Sequence, residues 1–466
     1  MVRLKLLFLF ITMSISLFGQ EVVTIKNASK KVLRQYEKAE KCLEKGELTE
    51  AIGKLETAIS EEPRFIDGHL KLGGLFYKKQ DFKQATSYFR NAYHLDSTNF
   101  KIIQSLALSY EGDKNYDEAY RYFQKYKAVN KNITPEYARQ IEKKLADFEF
   151  RSHALLNKVP FDPMLLPIAI NKPNYSEYSP SLTADGNRLF FTRVTGNQED
   201  IYYSEKDTNG MWAEALLLPN LNSLENEGAH NISADGKTIL FTYCSENPSA
   251  RYRGCNIYVS FKRKDGWTQP AYFDAINSRA WDTQPNISAD GNTIIFVSKR
   301  PGGKGASDLW SSTRNSEGKW TEPTNLHSIN TFMREESPFL HADGKTLYFK
   351  SEGHPGMGSF DLFKSELTED GSWTKPENLG YPINTEEHEG SMIVSLDGKT
   401  AYYSKGNGKV GFDKTQSDLY SFTLPESSRA NPVGFVKFNV FDAKTNEAII
   451  SNIKVQSSNG FIRNYQ

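Results

Sequence analysis

The sequence predicts a multidomain α plus all-β chain: an α-helical solenoid, then a five-bladed β-propeller, then a partial β-sandwich. Three observations predict it. Between about residues 30 and 156 apolar residues recur at helical intervals with almost no Gly-Pro punctuation. Beyond Phe161 one motif with a central Asp-Gly returns five times, and after about Asn431 a new alternating pattern begins. These changes divide the chain into a leader (1–20), a helical domain (21–158), a propeller (159–426) and an incomplete sandwich (431–466).

The chain has 466 residues, with 57 basic and 57 acidic side chains and a formal net charge of zero. A balanced charge supplies no sequence-wide attraction to nucleic acid or anionic lipid, so neither is an expected partner. In the leader, Arg3 and Lys5 precede an apolar run from Leu6 to Phe18, followed by Gly19 and Gln20. A charged start, a short apolar core and a small residue near its end describe a cleaved export signal, too short for a spanning helix. No Cys follows the run, so a leader lipid anchor is not expected. No later stretch is apolar enough to span a bilayer, so no transmembrane segment is expected in the mature chain.

In the helical domain Ala51, Ala85 and Ala119 lie 34 residues apart. Leu55, Phe89 and Phe123 follow four positions on, and Ala58, Ala92 and Tyr126 seven positions on. Small residues at fixed places let two helices of a hairpin approach, while the aromatics fill the remaining space. Gly73 and Phe76 take such places in the middle repeat, Pro63 closes the first, and a helix from Pro135 to about Leu155 is expected to cap the stack. The pattern resembles the tetratricopeptide repeat. That resemblance implies a concave face that binds peptides or partner proteins.

The propeller motif runs through Leu182–Phe191, Ile232–Phe241, Ile287–Phe296, Leu340–Phe349 and Val394–Tyr403, with its central acid at Asp185, Asp235, Asp290, Asp343 and Asp397. Asp-Gly between two apolar runs predicts a hairpin with a type I′ turn. Each copy adds a third strand beginning Asp/Asn-aliphatic-aromatic, as at Asp200-Ile201-Tyr202. A Trp-led strand follows in four copies, at Trp212, Trp267, Trp320 and Trp373, and then an Asn, at Asn222, Asn277, Asn330 and Asn384. Four strands per repeat at this period describe propeller blades. The fifth copy lacks its last strand. The stretch from Met164 to Asn171, with Leu165, Leu166, Ile168 and Ile170, repeats the pattern of Leu216 to Asn222, so it is expected to complete that blade and close the ring. These modules resemble the TolB-like, WD-repeat-like propellers of exported bacterial proteins.

Eight residues before each Asp-Gly turn stands an acid: Glu177, Glu227, Asp282, Glu335 and Glu389. Either they form a negative ring at the channel mouth, able to hold a cation or basic side chains, or each carboxylate accepts backbone N–H groups from the adjoining blade. Cys244 and Cys255 flank one hairpin and form either a disulfide or two free thiols, whereas Cys42 reads as a small core residue. The runs Gly302-Gly303, Gly356 to Gly358 and Gly406 to Gly411 precede no helix and read as blade-edge turns rather than phosphate cradles. No nucleophile elbow, H-E-x-x-H or phosphate-loop sequence occurs, and His230, His327, His341, His354 and His388 hold different places in the modules. No catalytic residue, metal site or cofactor is therefore expected.

The tail alternates Val436, Phe438 and Val440, turns at Thr445-Asn446, and resumes at Ile453 and Val455. It looks like the opening strands of a carboxypeptidase-regulatory-like sandwich, but about 35 residues are too few for a sandwich core. The whole order of parts resembles a family of Bacteroidota envelope proteins that continue into a peptidoglycan-binding OmpA-like domain, as in the PorE-type component of type IX secretion. This sequence carries no OmpA-like region, so peptidoglycan is a partner only if such a domain exists beyond residue 466. The resemblance implies a non-enzymatic periplasmic scaffold that binds protein partners in an outer-membrane-associated complex. Two alternatives stand beside it: a ligand-binding propeller for glycan, peptide or cation with the helices as an oligomerisation arm, and a hydrolase in the channel.

Overall fold

In the computed structural model the described residues are 22–245, 254–406 and 417–434, with 436, 440–445, 447, 449, 453–456 and 462–465 beyond them. The leader and most of the glycine-rich run at 406–411 lie outside them. The chain divides into two compact units, residues 1–153 and 154–466. The first contains three helix hairpins: α1 (Lys30–Glu44) with α2 (Leu48–Glu61), α3 (Ile66–Lys78) with α4 (Phe82–Leu95), and α5 (Phe100–Gly112) with α6 (Tyr116–Val129). A long α7 (Pro135–Leu156) follows, where the capping helix is expected. The side chains of Ser29, Asp81, Asn99 and Asn115 accept the N–H groups that α1, α4, α5 and α6 leave unpaired at their starts. The repeat alanines Ala51, Ala85 and Ala119 are completely buried. Close approach explains the repeat glycine: a Cβ on Gly73 would lie 2.6 Å from the Phe89 ring.

The second unit holds five antiparallel blades of four strands, with a short extra strand, Gly266–Trp267, in blade 2; blades 1 to 4 run from inner to outer strand in chain order. Blade 1 comprises Ser176–Leu182, Arg188–Thr195, Gln198–Glu205 and Leu216–Leu217; blade 2, Asn226–Ile232, Thr238–Ser245, Gly254–Arg263 and Ala271–Tyr272. Blade 3 comprises Asp282–Ile287, Thr293–Ser298, Asp308–Thr313 and Thr324–Asn325; blade 4, Glu335–Leu340, Thr346–Ser351, Asp361–Glu366 and Glu377–Asn378. Blade 5 takes Glu389–Val394, Thr400–Gly406 and Ser417–Thr423 from the end of the array and Met164–Leu165 from its beginning. Met164 pairs with Ser421 and Leu165 with Tyr420, so the ring is closed by the segment that repeats the outer-strand pattern. Leu166 and Ile170 are buried in the core between blades 5 and 1 with Leu189, Phe191 and Leu419.

Two local expectations are corrected. The motif turn is not type I′: the glycines Gly186, Gly236, Gly291, Gly344 and Gly398 have positive φ, near 70°, and the preceding aspartates do not. Thr183 accepts the Gly186 N–H across Ala184 and Asp185, which makes a type I turn with a left-handed glycine after it. Asp185 tightens this turn by accepting the Thr183 hydroxyl at 2.6 Å and the Asn187 N–H at 3.1 Å. The tryptophans do not lead the outer strands either. Trp212, Trp320 and Trp373 each form a single bridge to the end of the third strand, and Trp267 pairs there with Lys262. Their rings pack against the inter-blade cores, and the outer strand begins several residues later.

Beyond the last blade, residues 426–433 cross the turn end of blades 4 and 5. Tyr348 donates its hydroxyl to the Ser428 carbonyl at 2.7 Å, and Val433 donates its N–H to the Leu396 carbonyl at 2.8 Å. Ala430 is buried in the core between blades 4 and 5. Of the expected sandwich the described residues form one hairpin, Ile453–Gln456 against Ile462–Tyr465. No described helix is long and apolar enough to cross a membrane.

Candidate functional site

The five repeated acids open the inner strands, and every one is at most 1% exposed. In blades 2 to 5 each carboxylate accepts the backbone N–H and the hydroxyl of a Ser or Thr four residues earlier. Ser223 serves Glu227, Ser278 serves Asp282, Thr331 serves Glu335, and Thr385 serves Glu389. In blade 1 Glu177 accepts the Lys172 N–H at 3.3 Å and the Arg193 guanidinium at 2.7 Å. An arginine also reaches Asp282, from Arg300 at 2.8 Å. Burial pushes Glu227 and Glu335 up to about 7 and Glu389 up to about 9, only partly offset by these donors. None of the five is among the residues lining the axial cavities. The geometry places them inside the connections that lead into the inner strands.

The asparagines that end each module do chemistry the sequence did not reveal. Asn222, Asn277, Asn330 and Asn384 each bind one third-strand residue twice, accepting its N–H and donating to its carbonyl: Ile201, Ile257, Leu309 and Leu362. Asn171 does the same to Leu419 at 2.8 and 2.9 Å, across 248 residues of sequence. A primary amide presents the same donor and acceptor as a peptide unit, so each Asn extends the ladder where the outer strand ends.

The glycine-rich turns of blades 3 and 4 are wrapped around carboxylates of their own chain. Asp308 accepts the Gly305 N–H at 2.9 Å and the Asn325 amide at 2.8 Å, and also the Lys304 N–H. Asp361 accepts from Gly358 at 3.0 Å and Asn378 at 3.0 Å, and also from Met357. A Cβ on Gly356 would fall 1.8 Å from the Asp361 carboxylate. Gly356→Ala is therefore expected to cost about 2–4 kcal/mol by displacing a buried, hydrogen-bonded charge, measured as a lowered midpoint in urea. Cys244 and Cys255 face each other between the second and third strands of blade 2 and are joined as a disulfide.

Two cavities lie along the propeller axis. The narrow waist, about 40 Å³, is lined by Ser179, Gln284, Ser337 and Ser391 and by three prolines, Pro180, Pro285 and Pro338. All five inner strands bulge here, four of them with a residue at positive φ: Ser179, Ala229, Gln284 and Ser337. His230 takes the place the prolines hold, packs against Phe190 at 6.3 Å, and is held neutral because burial pushes it down to about 3. At the turn end the axis widens to about 300 Å³ between Leu182, Ile232, Ile287, Leu340 and Val394, with Asp185 and Asp397 at its rim. Here the blades are latched by side chains. Ser181, Asn231 and Asn286 accept the N–H groups of Ile232, Ile287 and Leu340 in the following blade.

In the helical unit the first helices of successive hairpins touch one another through polar pairs: Glu40 with Lys71 at 2.8 Å between α1 and α3, and Glu111 with Lys144 at 2.6 Å between α5 and α7. Gln104 donates to the Tyr137 hydroxyl at 3.0 Å. The second helices form the other layer, with Tyr88 donating to Glu56 and Tyr93 edge-on to Tyr122. Among the described residues one trio of metal-capable side chains converges, Cys42 with the exposed Glu47 and Glu50. The propeller histidines are dispersed: His341 contacts the Ser395 carbonyl, His354 the Ile329 carbonyl and His388 the Ser359 hydroxyl.

These observations define a seven-helix, tetratricopeptide-like array followed by a five-bladed β-propeller. No family model matches the chain, and no curated protein matches it. Among solved structures it is similar to TolB from Acinetobacter baumannii, at 16% identity over 62% of this chain and 71% of that one, with a TM-score of 0.35. It is also similar to the first tetratricopeptide domain of Spaghetti (RPAP3) bound to an HSP90 peptide, at 19% identity over 28% of this chain and 96% of that one, TM-score 0.23. An α-L-arabinofuranosidase from Lactobacillus brevis matches at 18% identity over 58% of this chain and 98% of that one, TM-score 0.40. At such identities these are likenesses of fold.

Proposed function

We propose that this chain is a non-enzymatic scaffold of the cell envelope, exported to the periplasm, whose helical array binds a protein or peptide partner within an outer-membrane-associated complex. The sequence resemblance points to secretion or gliding machinery of the type IX class. The observation that carries the binding role is the layer formed by α1, α3, α5 and α7. Its half-exposed side chains offer charges of both signs and amide groups along one face, held only by weak surface pairs that a ligand can replace. The propeller supports the non-enzymatic reading through its waist. Glycoside hydrolysis needs two facing carboxylates; among the described residues no carboxylate lines the waist, and the two at the wider end, Asp185 and Asp397, are held by the hydroxyls of Thr183 and Ser395 in their own turns.

The test reverses two charges of the first-helix layer. A Lys71→Glu/Lys144→Glu variant is expected to lose at least ~10-fold in affinity for the partner that co-purifies with the wild type from envelope extracts. The variant should keep its helical fold by circular dichroism, because both pairs are partly solvated and such pairs contribute little to folding. Undiminished binding of that partner by the variant would sink the proposal, as would turnover of a polysaccharide by the wild type. A second reading, a small ligand held in the axis, is favoured by the 300 Å³ widening at the turn end. It predicts saturable binding that Val394→Trp abolishes and Lys71→Glu leaves intact.

A further inference from the structure

The segment that follows the last blade shows what the turn end of this propeller can hold. Residues 426–433 run in the groove between blades 4 and 5, fixed by groups of both blades. Lys364 donates to the Ser427 carbonyl at 2.9 Å and Tyr348 to the Ser428 carbonyl at 2.7 Å. Asp343 accepts the Asn431 N–H at 3.1 Å, and the Leu396 carbonyl accepts that of Val433 at 2.8 Å. Between these two pairs Ala430 is buried, and a Cβ on Gly398 would come within 2.3 Å of its carbonyl oxygen.

The groove between blades 2 and 3 is built from the same positions and forms a cleft of about 320 Å³. Counted from the turn aspartates, Leu240 takes the place of Tyr348, and its strand partner Val259 takes that of Lys364. Phe261 stands for Glu366 in the same register. Arg314 stands for Leu424, since both donate their N–H two residues past the turn aspartate, to the carbonyls of Asn292 and Lys399. The side chains that grip peptide carbonyls are thus exchanged for an apolar floor, completed by Phe273 and Trp320. The groups that accept peptide N–H are kept, Asp235 for Asp343 and Ala289 for Leu396. Asp235 holds its own turn through one carboxylate oxygen, accepting Ser233 and Lys237, as Asp343 does with Lys345 and Thr346. A Cβ on Gly291, the counterpart of Gly398, would meet no atom of the described residues within 4 Å.

We propose that the groove between blades 2 and 3 binds an extended peptide of a partner protein, anchored by one large apolar side chain at the position of Ala430. Two alternate N–H groups of the peptide bond to the Asp235 carboxylate and the Ala289 carbonyl, as those of Asn431 and Val433 do in the sister groove. The charges of the cleft set the residues beside the anchor. Arg314, 4.4 Å from the Trp320 ring, takes the place of Leu424, whose carbonyl accepts from Arg429 at 2.9 Å. An acidic residue therefore fits before the anchor. Asp235 and Asp290 line the side where Asn431 to Val433 lie in the sister groove, so a basic residue fits after it. The order acidic, large apolar, basic defines the occupant, and the site stands apart from the role of the helical array.

The probe is a labelled synthetic peptide of residues 426–433 carrying Arg429→Glu, Ala430→Phe and Asn431→Lys. Fluorescence polarisation with the full chain is expected to show saturable binding with a Kd on the order of 50 µM, in keeping with a small interface. The unsubstituted peptide should bind at least ~10-fold more weakly. Phe261→Glu, which gives the groove the residue that blade 4 uses, should weaken probe binding at least ~10-fold and keep the fold, since Phe261 is 40% exposed. The Lys71→Glu/Lys144→Glu variant should bind the probe as the wild type does, so this site and the helical layer fail separately. As a second readout that needs no variant, a benzophenone in place of the anchor ring should crosslink to Val259, Phe261, Phe273 or Trp320. Absence of saturable binding, undiminished binding by a folded Phe261→Glu chain, or crosslinks confined to other parts of the chain each overturn the proposal. Equal binding of the unsubstituted peptide overturns it too, since the occupant is then the 426–433 segment of a second copy.

Discussion

Replacing Asn171 with alanine is expected to lower the stability of the propeller by about 3 kcal/mol. Its amide is buried and makes three hydrogen bonds: it accepts from the Leu419 N–H and donates to the carbonyls of Leu419 and Leu166, all at 2.8–2.9 Å. Truncation leaves the Leu419 N–H and the Leu166 carbonyl without this partner in a site from which water is largely excluded, while the Leu419 carbonyl keeps the Leu166 N–H, so the cost exceeds that of a solvent-facing hydrogen bond. The same change at Asn222 or Asn277 removes an equivalent pair of contacts from a blade made of consecutive chain. Asn171 differs because it ties the first strand of the propeller to its last complete one. Loss of its bonds should also allow blade 5 to open below the global transition. Hydrogen exchange at residues 417–423 would then rise in Asn171→Ala but not in Asn277→Ala, and equal exchange in the two variants would show that closure carries no special role.

The second large effect is a stability that falls as pH rises. Glu227, Glu335 and Glu389 are buried, and burial raises them to about 7, about 7 and about 9 in the folded chain, against 4.5 for a free glutamate. A carboxyl raised in the folded state keeps its proton after the unfolded chain has lost its own, so folding binds protons between the two values. The stabilisation from the neutral form is complete below about 4.5, declines up to 7 for the first two residues and to 9 for Glu389, and is absent above. The melting temperature of the propeller is therefore expected to drop by at least ~5 °C between pH 5 and pH 9. Glu389→Gln should flatten the part of the slope between pH 7 and 9, since the amide keeps the shape and cannot ionise. An unchanged slope in that variant would show that Glu389 is ionised in the fold.

The five blades were legible in the sequence because a tight turn leaves few residue choices. Gly186 and its four counterparts must adopt positive φ, and the apolar strands flanking them must alternate. The closing strand was legible for a related reason: Met164 to Asn171 repeats an outer-strand pattern that the fifth copy lacks. The repeat alanines of the helices could be read because a larger side chain has no room there. What the sequence withheld were roles that depend on a distant partner. Asn171 and Asn384 stood out by position, yet their double bonds to Leu419 and Leu362 exist only once the third strand lies beside them. The five acids formed a regular series, but regularity alone does not separate a ring around the axis from carboxylates folded into their own connections, as at Thr331 and Glu335. Glycines 356 and 358 looked like loop residues because the carboxylate they enclose, that of Asp361, also reads as the start of a strand.

The exposed leucines of the blade 1 and blade 5 edges illustrate the converse. They match the outer-strand pattern, so the sequence presents them as ordinary core-facing positions, and only their exposure beside the polar Asn325 and Asn378 marks them as unusual.

Closure of the ring is the claim on which the blade count and the asparagine series both depend. Met164 and Ser421 lie opposite each other in the closing pair, 257 positions apart in sequence. A Met164→Cys/Ser421→Cys variant of the full chain, oxidised and mapped by peptide mass spectrometry, is predicted to form one crosslink between these two positions within a single chain, in near-quantitative yield. Failure to form it in the folded variant, or its formation only between chains, would contradict a propeller closed by its own first strand.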